Sequence, residues 1–169
     1  MADTHWLDDE EQGAWRAYLA ATQMLDDALD RQLGRDATMP HAYFAILTAL
    51  VDAGPDGLRM NELARPLRYS PSRITHAVTS LERSGWVERR ACPTDGRGQM
   101  AVLTDAGRAA QASAAVGHVA EVRARLFDRL TREQVRQLRE ICDAVVDGFD
   151  GTCPADEEPQ RSRASSATR

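Results

Sequence analysis

A capped helix followed by two strand patterns, between Ser70 and Thr104, restricts the fold of this chain more than any other segment. Ser70 before Pro71 is typical of a helix start, because the serine oxygen accepts hydrogen bonds from unpaired amides and proline tolerates the first turn. Apolar residues then recur at helical spacing until Gly85, a residue type that often ends helices. The segment therefore predicts one amphipathic helix, whose apolar face is formed by Ile74, Val78 and Leu81.

Two short runs of strand-forming residues follow that helix, at 86–90 and 99–103. The intervening residues 91–98 include Pro93 and Gly96, which favour turns over strands. We expect the two runs to pair as a hairpin, termed the wing, with a long and mobile tip at 91–98.

A short helix at 61–67, after a short strand at 58–59, is predicted just before the capped helix. Pro66 has no amide hydrogen for the carbonyl of Glu62, so we expect the short helix to kink or end early. Two helices joined by a tight turn form the helix-turn-helix pattern, whose second helix enters the major groove of DNA with its N-terminal end first.

Polar residues on the first turns of the capped helix suit such a contact. The candidates are Ser72, Arg73, Thr75 and His76 for the major groove, and Ser70 and Thr79 for the phosphate backbone. Structural alternatives remain open for three of them. Ser72 can serve the helix start and Thr75 can hydrogen-bond its own helix backbone. Arg73 can pair with Glu62 or another carboxylate.

Arginines of the wing are candidates for the minor groove. A guanidinium at a hairpin tip can enter this narrow, electronegative groove, and a nearby carboxylate can hold it in place. We therefore assign Arg97 and Arg90 to the minor groove and Asp95 to the support of Arg97. The alternative is a charged turn that only meets solvent.

The distribution of charge permits a local DNA surface on an acidic protein. The net charge is -5, and all 21 cationic residues are arginine. Residues 59–108 contain nine arginines and five acidic residues, whereas residues 1–58 contain three and eleven. Screening over about 8 to 10 Å makes a local basic face sufficient for phosphate binding. Chance fluctuation is the alternative explanation.

Amphipathic patterns on both sides predict a helical scaffold. Asp8 and Glu11 resemble a capping arrangement for a first helix that runs to Gly34, and Pro40 suits the first turn of a second helix. Two further helices of this scaffold are predicted after the wing, one from a Thr104 cap toward residue 130 and one after residue 131. The two C-terminal helices are candidates for packing against a partner.

The fold class that follows is mainly α with a small β wing, an α/β winged helix-turn-helix. The predicted division is 1–58 for N-terminal dimerisation and core support, 59–104 for the DNA-binding lobe, 105–149 for C-terminal dimerisation helices, and 150–169 for a disordered tail.

Signals for other classes of protein are weak. The three cysteines and four histidines are scattered, so we expect no metal site, and we expect no cofactor. No catalytic triad, paired carboxylates or phosphate loop stands out, so we expect no enzyme. No apolar run approaches the length of a membrane span, and we expect a soluble, cytoplasmic protein.

Five short motifs lie at characteristic separations within residues 61–107. They read Asn-Glu-Leu-Ala at 61–64, Ser-Pro-Ser-Arg-Ile-Thr at 70–75, Leu-Glu-Arg-Ser-Gly-Trp-Val-Glu-Arg-Arg at 81–90, Asp-Gly-Arg at 95–97 and Val-Leu-Thr-Asp-Ala-Gly at 102–107. Together they resemble the MarR family of transcriptional regulators, and the helical order extends the resemblance over residues 6–149. The chain departs from the family pattern at Pro66 and at Gly96, where members often carry an arginine.

The resemblance implies a homodimer that joins through its N- and C-terminal helices and binds a pseudo-palindromic operator in double-stranded DNA. It also implies a repressor that a small aromatic or phenolic effector releases. The candidates for that ligand pocket are Trp15, Tyr18, His41, Tyr43 and Phe44, although residues at this spacing also form cores.

Two alternatives to an effector-released DNA regulator stay open. Cys92 in the wing lies near Arg89, Arg90 and Arg97 in sequence, and these cations would favour a thiolate that responds to oxidants. A winged helix can also bind another protein without reading DNA.

Overall fold

The computed structural model describes residues 4–92 and 95–149, with the backbone alone for residues 95–97. The elements in chain order are α1 (Asp9–Asp36), α2 (His41–Ala53), β1 (Leu58–Arg59), α3 (Met60–Leu67), α4 (Pro71–Arg83), β2 (Val87–Cys92), β3 (Asp95–Leu103), α5 (Asp105–Arg125) and α6 (Arg132–Asp147). A single 3-10 turn, Phe127–Arg129, joins α5 to α6. The predicted fold class, mainly α with a small β wing, is confirmed. The predicted tail at 150–169 lies outside the described residues.

Helix α1 begins with the predicted capping box. The amide of Glu11 donates to Asp8 Oδ1 at 2.8 Å, and the amide of Asp8 donates to Glu11 Oε2 at 2.9 Å. The predicted end at Gly34 is wrong by two residues. The helix continues because nothing in the structure forces a bend at Gly34, and the chain turns instead at Thr38, whose φ is 52°.

Helix α2 starts one residue later than predicted. Pro40 is the residue before the helix, with an extended backbone, and the helix begins at His41. The amide of His41 donates to Asp30 Oδ1 on α1 at 2.9 Å, so a side chain of the preceding helix caps this start.

The hydrophobic core lies beneath α4 and fixes its orientation. Fully buried leucine, isoleucine and valine side chains come from α2, α3 and α4, and they include Leu47, Leu50, Leu63, Ile74 and Val78. Complete burial of such a side chain stabilises the fold by about 1.5 to 3 kcal/mol. The apolar face predicted for α4 is therefore the face that anchors it.

The sheet is antiparallel with strand order β1-β3-β2. Its hairpin is longer than predicted, because pairing continues beyond residues 90 and 99 until only residues 93–94 separate the strands. An irregularity between Ala91 and Cys92 lets Cys92 pair with Asp95, so residues 96–98 of β3 form a bulge. The short strand predicted at 58–59 is present and pairs with β3.

Helices α3 and α4 begin and end close to the predicted residues. Helix α3 ends at Leu67, one residue after Pro66, and Arg68 adopts a left-handed conformation with φ 52°. Ser70 caps α4 by accepting the amide of Arg73 at 3.3 Å, and Pro71 is the first helical residue. Pro66 lies inside α3, which reaches the predicted Leu67, so the early end expected from Pro66 is not observed.

The C-terminal helices keep their predicted caps but not every boundary. Thr104 accepts the amide of Gly107 at 3.0 Å to start α5, and Thr131 forms the capping box of α6. Helix α5 stops at Arg125 and not near residue 130, because the chain folds into the 3-10 turn. Arg123 donates to Asp128 at 2.7 Å across that turn.

The outermost helices leave large apolar side chains in solvent. The most exposed are Trp6, Trp15, Tyr18 and Met24 before or on α1, and Ile141, Val145 and Phe149 on or just after α6. Helix α6 has no buried residue. Among the helices of the described ranges, none combines the length and apolarity needed to cross a membrane.

Candidate nucleic-acid interface

Helix α4 presents its predicted reading residues to solvent. Ser72, Arg73, Thr75 and His76 are all exposed on its first two turns. The opposite face of the helix carries Ile74, Ala77, Val78 and Leu81, which are all buried. The four polar side chains therefore lie on one surface that is free of the protein's own core.

Arg73 is held by an aromatic ring and not by a carboxylate. Its Cζ lies 3.9 Å from the centroid of the Tyr69 ring, a cation–π contact. Glu62, the partner considered from the sequence, instead accepts the amide of Arg59 at 3.1 Å. Sequence reasoning missed Tyr69, although an aromatic residue four positions before an arginine was a usable signal.

The hydroxyl groups at the start of α4 serve local structure in this state. Ser70 and Ser72 share a hydrogen bond of 3.2 Å between their Oγ atoms. Thr75 donates to the carbonyl of Pro71 at 2.9 Å, which is the alternative considered from the sequence. His76 makes no hydrogen bond within the described part of the chain, so both of its ring nitrogens can meet a ligand.

Thr79 belongs to a network that sequence reasoning missed. Arg89 on β2 donates from Nη2 to Thr79 Oγ1 at 2.9 Å and to the carbonyl of Thr75 at 3.2 Å. Its Nη1 lies 3.0 Å from Glu82 Oε2. Thr79 in turn donates to the carbonyl of Thr75 at 2.8 Å. Arg89 thus connects the wing to α4.

The wing residues assigned to the minor groove are only partly described. Arg90 is exposed on β2 and pairs with Glu88. The side chains of Arg97 and Asp95 lie outside what the structure describes, so their assignment stays a prediction.

Three arginines of α3, α4 and the turn between them have no ion-pair partner among the described residues. Within residues 4–92 and 95–149, Arg65, Arg68 and Arg73 form no ion pair, and all three are exposed. The nearby carboxylates are engaged elsewhere, since Glu82 meets Arg89 and Glu62 caps α3. A surface with free guanidinium groups suits phosphate binding.

The five residues predicted for a ligand pocket fall into separate groups. Trp15 and Tyr18 stack on each other in solvent on α1, with centroids 6.0 Å apart. Phe44 and His41 instead contact His118 of α5, with centroids 4.5 and 5.3 Å apart. Tyr43 is partly buried against the core.

A surface cavity of about 270 Å³ lies close to the second group. It is lined by Asp30, Gly34, Thr38, Met39 and Pro40, at the junction of α1 and α2. None of the five predicted pocket residues lines it, although His41 follows Pro40 directly.

His118, which sequence reasoning did not single out, is a titratable group beside this junction. Its Nδ1 is buried and has no hydrogen-bond partner. Burial lowers the pKa of His118 below 6.5, and the neighbouring His41 lowers this pKa further. Buried Gln32 on α1 likewise has an unpartnered Oε1. The sequence gives no signal that a lone histidine such as His118 contacts His41 and Phe44.

Cys92 is 5% exposed at the end of β2. A reactive thiol must be reached by an oxidant, so this burial does not favour the redox hypothesis. The side chain of Arg97, one of the three cations considered beside it, is outside the described residues.

Comparison with known proteins gives a consistent family match. A MarR family model matches residues 37–98, and a search of curated proteins finds no significant match. Sco3205, a MarR family transcriptional regulator from Streptomyces coelicolor solved in complex with DNA, is 47% identical to this chain, with a TM-score of 0.86. That match covers 92% of this chain and 97% of the other.

Two further solved structures show the same architecture. AbsC, a MarR family transcriptional regulator from Streptomyces coelicolor, is 33% identical with a TM-score of 0.83, over 88% of this chain and 100% of AbsC. CouR from Rhodococcus jostii RHA1, solved with p-coumaroyl-CoA, is 22% identical with a TM-score of 0.68, over 84% of this chain and 95% of CouR. At that identity, CouR indicates a shared fold alone.

Proposed function

The chain belongs to the MarR family of transcriptional regulators, and from this membership we propose that it is a homodimeric repressor that reads a pseudo-palindromic DNA operator. We further propose that a small aromatic or phenolic ligand releases it from that operator.

The observation that carries the DNA-reading proposal is the exposed polar face of α4. Its apolar side is anchored in the core, while Arg73 and His76 project from the first two turns with no carboxylate partner among the described residues. Arg73 can make a forked contact to guanine, and His76 can meet a base or a phosphate. Sco3205, which is 47% identical and was solved in complex with DNA, supports DNA as the partner of this chain.

The wing completes the proposed interface. Arg97 would enter the minor groove with Asp95 as its support, and Arg90 would lie beside it. Ser72 and Thr75 would contribute hydroxyl groups to base edges after exchanging their present local hydrogen bonds. This division assigns residues 59–104 to DNA binding.

A second copy of the chain would cover the exposed apolar side chains of the outer helices. Trp15 and Tyr18 on α1, and Ile141 and Val145 on α6, are all more than half exposed in the single chain. Two copies related by a twofold axis would also place two α4 helices on one duplex, as a pseudo-palindromic site requires. Residues 1–58 and 105–149 would thus form the dimerisation region.

The effector would bind near the junction of α1, α2 and α5. His41, Tyr43 and Phe44 remain the candidates on α2, beside the cavity of about 270 Å³, which is slightly smaller than the roughly 300 to 1,000 Å³ of usual ligand pockets. Trp15 and Tyr18 remain candidates only if the dimer brings them to the same site. The Nδ1 of His118, which is buried and unpartnered, could accept a phenolic hydroxyl only after the groups that cover it move.

Salt-dependent binding to duplex DNA tests the proposal. Fragments of the source genome bound by the protein would be recovered and titrated with wild type, Arg73→Ala and Arg97→Ala. Loss of a forked base contact is expected to cost about 1 to 3 kcal/mol and to relax specificity. Absence of duplex binding by wild type would instead favour a winged helix that binds a protein partner.

A further inference from the structure

Arg89 holds the first wing strand against the DNA-facing helix by contacts at both of its terminal nitrogens. Nη2 donates to Thr79 Oγ1 and to the carbonyl of Thr75, and Nη1 pairs with Glu82 at 3.0 Å. The carbonyl of Thr75 belongs to the second turn of α4, one of the two turns that carry the reading residues. Arg89 therefore connects the wing directly to the backbone of α4.

The guanidinium of Arg89 already forms hydrogen bonds and an ion pair within the protein. Its charge faces the Glu82 carboxylate, and only about a quarter of its side chain is exposed, against 61% for the neighbouring Arg90. Three of its five N–H donors are engaged in these contacts, so only those that remain on Nε and Nη1 could meet a phosphate. Thr79 is committed as well, because its hydroxyl hydrogen points to Thr75 and its oxygen accepts from Arg89.

A protein that reads two adjacent grooves needs a fixed angle between its reading helix and its wing. The described side-chain hydrogen bonds between β2 and α4 are those that Arg89 donates to the carbonyl of Thr75 and to the hydroxyl of Thr79. Resting on the proposed function, we propose that Arg89 is a positioning residue, which sets the orientation of α4 for base reading without contacting DNA.

Two substitutions that keep the net charge test this role. Arg89→Lys retains the cation but cannot span the three acceptors, and Thr79→Val removes the acceptor while retaining the shape. The probes are a duplex that wild type selects from a randomised pool and a scrambled duplex of equal composition. Affinity for each is measured over a range of salt concentrations, and thermal unfolding reports the folded fraction.

Matched control variants remove similar interactions elsewhere. Arg125→Lys alters an arginine paired with Glu121 at 2.8 Å near the end of α5. Thr48→Val removes a threonine that accepts from Gln111 at 3.2 Å between α2 and α5. Neither residue belongs to the proposed DNA surface, so both variants are expected to bind like wild type.

The positioning role predicts a loss confined to the selected duplex. Arg89→Lys and Thr79→Val should each weaken that complex by about tenfold or more, with at most about a twofold change on scrambled DNA and an unchanged salt slope. The double variant should lose less than the product of the two single losses, because both remove the same contact.

Other outcomes overturn the proposal. Equal losses on both duplexes would make Arg89 or Thr79 a direct phosphate contact, because phosphate contacts do not depend on sequence. Full binding by Arg89→Lys would also overturn it. If wild type enriches no sequence, the proposed function fails and this proposal fails with it. If wild type enriches a sequence and both variants bind that sequence as wild type does, only the positioning role is overturned.

Discussion

The guanidinium of Arg73 lies over the ring of Tyr69, with 3.9 Å between Cζ and the ring centroid. Tyr69 is itself packed against the hydrophobic core, so the ring is a fixed platform. The contact restricts a side chain that would otherwise sample many rotamers, which lowers the entropy cost of binding. Arg73 is thus oriented before DNA arrives.

Replacing the platform should weaken DNA binding by a modest factor. Tyr69→Leu keeps an apolar side chain but removes the aromatic face, and a cation–π contact at an exposed site is worth about 0.5 to 1 kcal/mol. We expect a two- to fivefold loss of affinity, at about 1.4 kcal/mol per tenfold, for the selected duplex. Tyr69→Phe retains the face and should bind like wild type. Equal losses in both variants would show that the platform has no such role.

Gly107 in the first turn of α5 should tolerate no side chain. A Cβ there would lie 2.0 Å from the carbonyl oxygen of Trp86 and 2.8 Å from its carbon, both backbone atoms. Gly107→Ala should therefore destabilise the fold by about 1 to 3 kcal/mol, despite the better helix propensity of alanine. Urea unfolding of the variant measures the effect.

Gly34 on α1 provides the matched control for that substitution. It is also helical, but no atom lies within 4 Å of the position of its Cβ. Gly34→Ala should stabilise the protein by about 0.5 to 1 kcal/mol, which is the ordinary helical preference. Destabilisation of similar size in both variants would contradict the close approach at Trp86.

His118 should make stability depend on pH in the mildly acidic range. Its pKa is lowered below 6.5, first by burial and then by His41, so the unfolded chain binds a proton more readily than the folded one. The free energy of unfolding should therefore fall as pH drops below about 6.5 and level off below the folded pKa.

His118→Gln should flatten that part of the stability curve. The exposed His5 near the N-terminus supplies a control, and His5→Gln should leave the slope unchanged. Urea unfolding at several pH values between about 5 and 7.5 measures both slopes. An identical slope in wild type and His118→Gln would contradict the assigned cause.

The exposed apolar face of α6 should be required for dimerisation. Ile141 and Val145, one helical turn apart, are 61% and 53% exposed in the single chain. Introducing charge by Val145→Glu should place an unpaired carboxylate in the interface and shift the protein toward monomer at micromolar concentration. Arg139→Gln changes the opposite side of the helix and should leave the dimer intact. Sedimentation velocity distinguishes these results, and a monomeric wild type would contradict the proposed assembly.

Local chemistry made part of the fold predictable from sequence. Thr104 and Thr131 cap their helices as predicted, because a cap depends on residues within one turn of it. The positions of helix ends were less predictable. Gly34 stays helical because glycine permits a turn without requiring one, and the chain bends at Thr38 instead.

The reading residues were predictable as a helix face, but their partners were not. The apolar spacing of Ile74, Val78 and Leu81 identifies which side of α4 is buried, and all three are buried. The network of Arg89 with Thr79 joins residues ten positions apart through tertiary packing, which no local pattern encodes. The contact of His118 with Phe44 is equally non-local.

Selection of duplexes from a randomised pool, followed by sequencing, tests most directly whether this protein reads DNA. Wild type should enrich one pseudo-palindromic sequence, with half-sites about one helical turn apart, and Arg73→Ala should lose preference at one base pair of each half-site. Binding without enrichment of any sequence, or the same enriched sequence and preference in Arg73→Ala, would contradict sequence reading by α4.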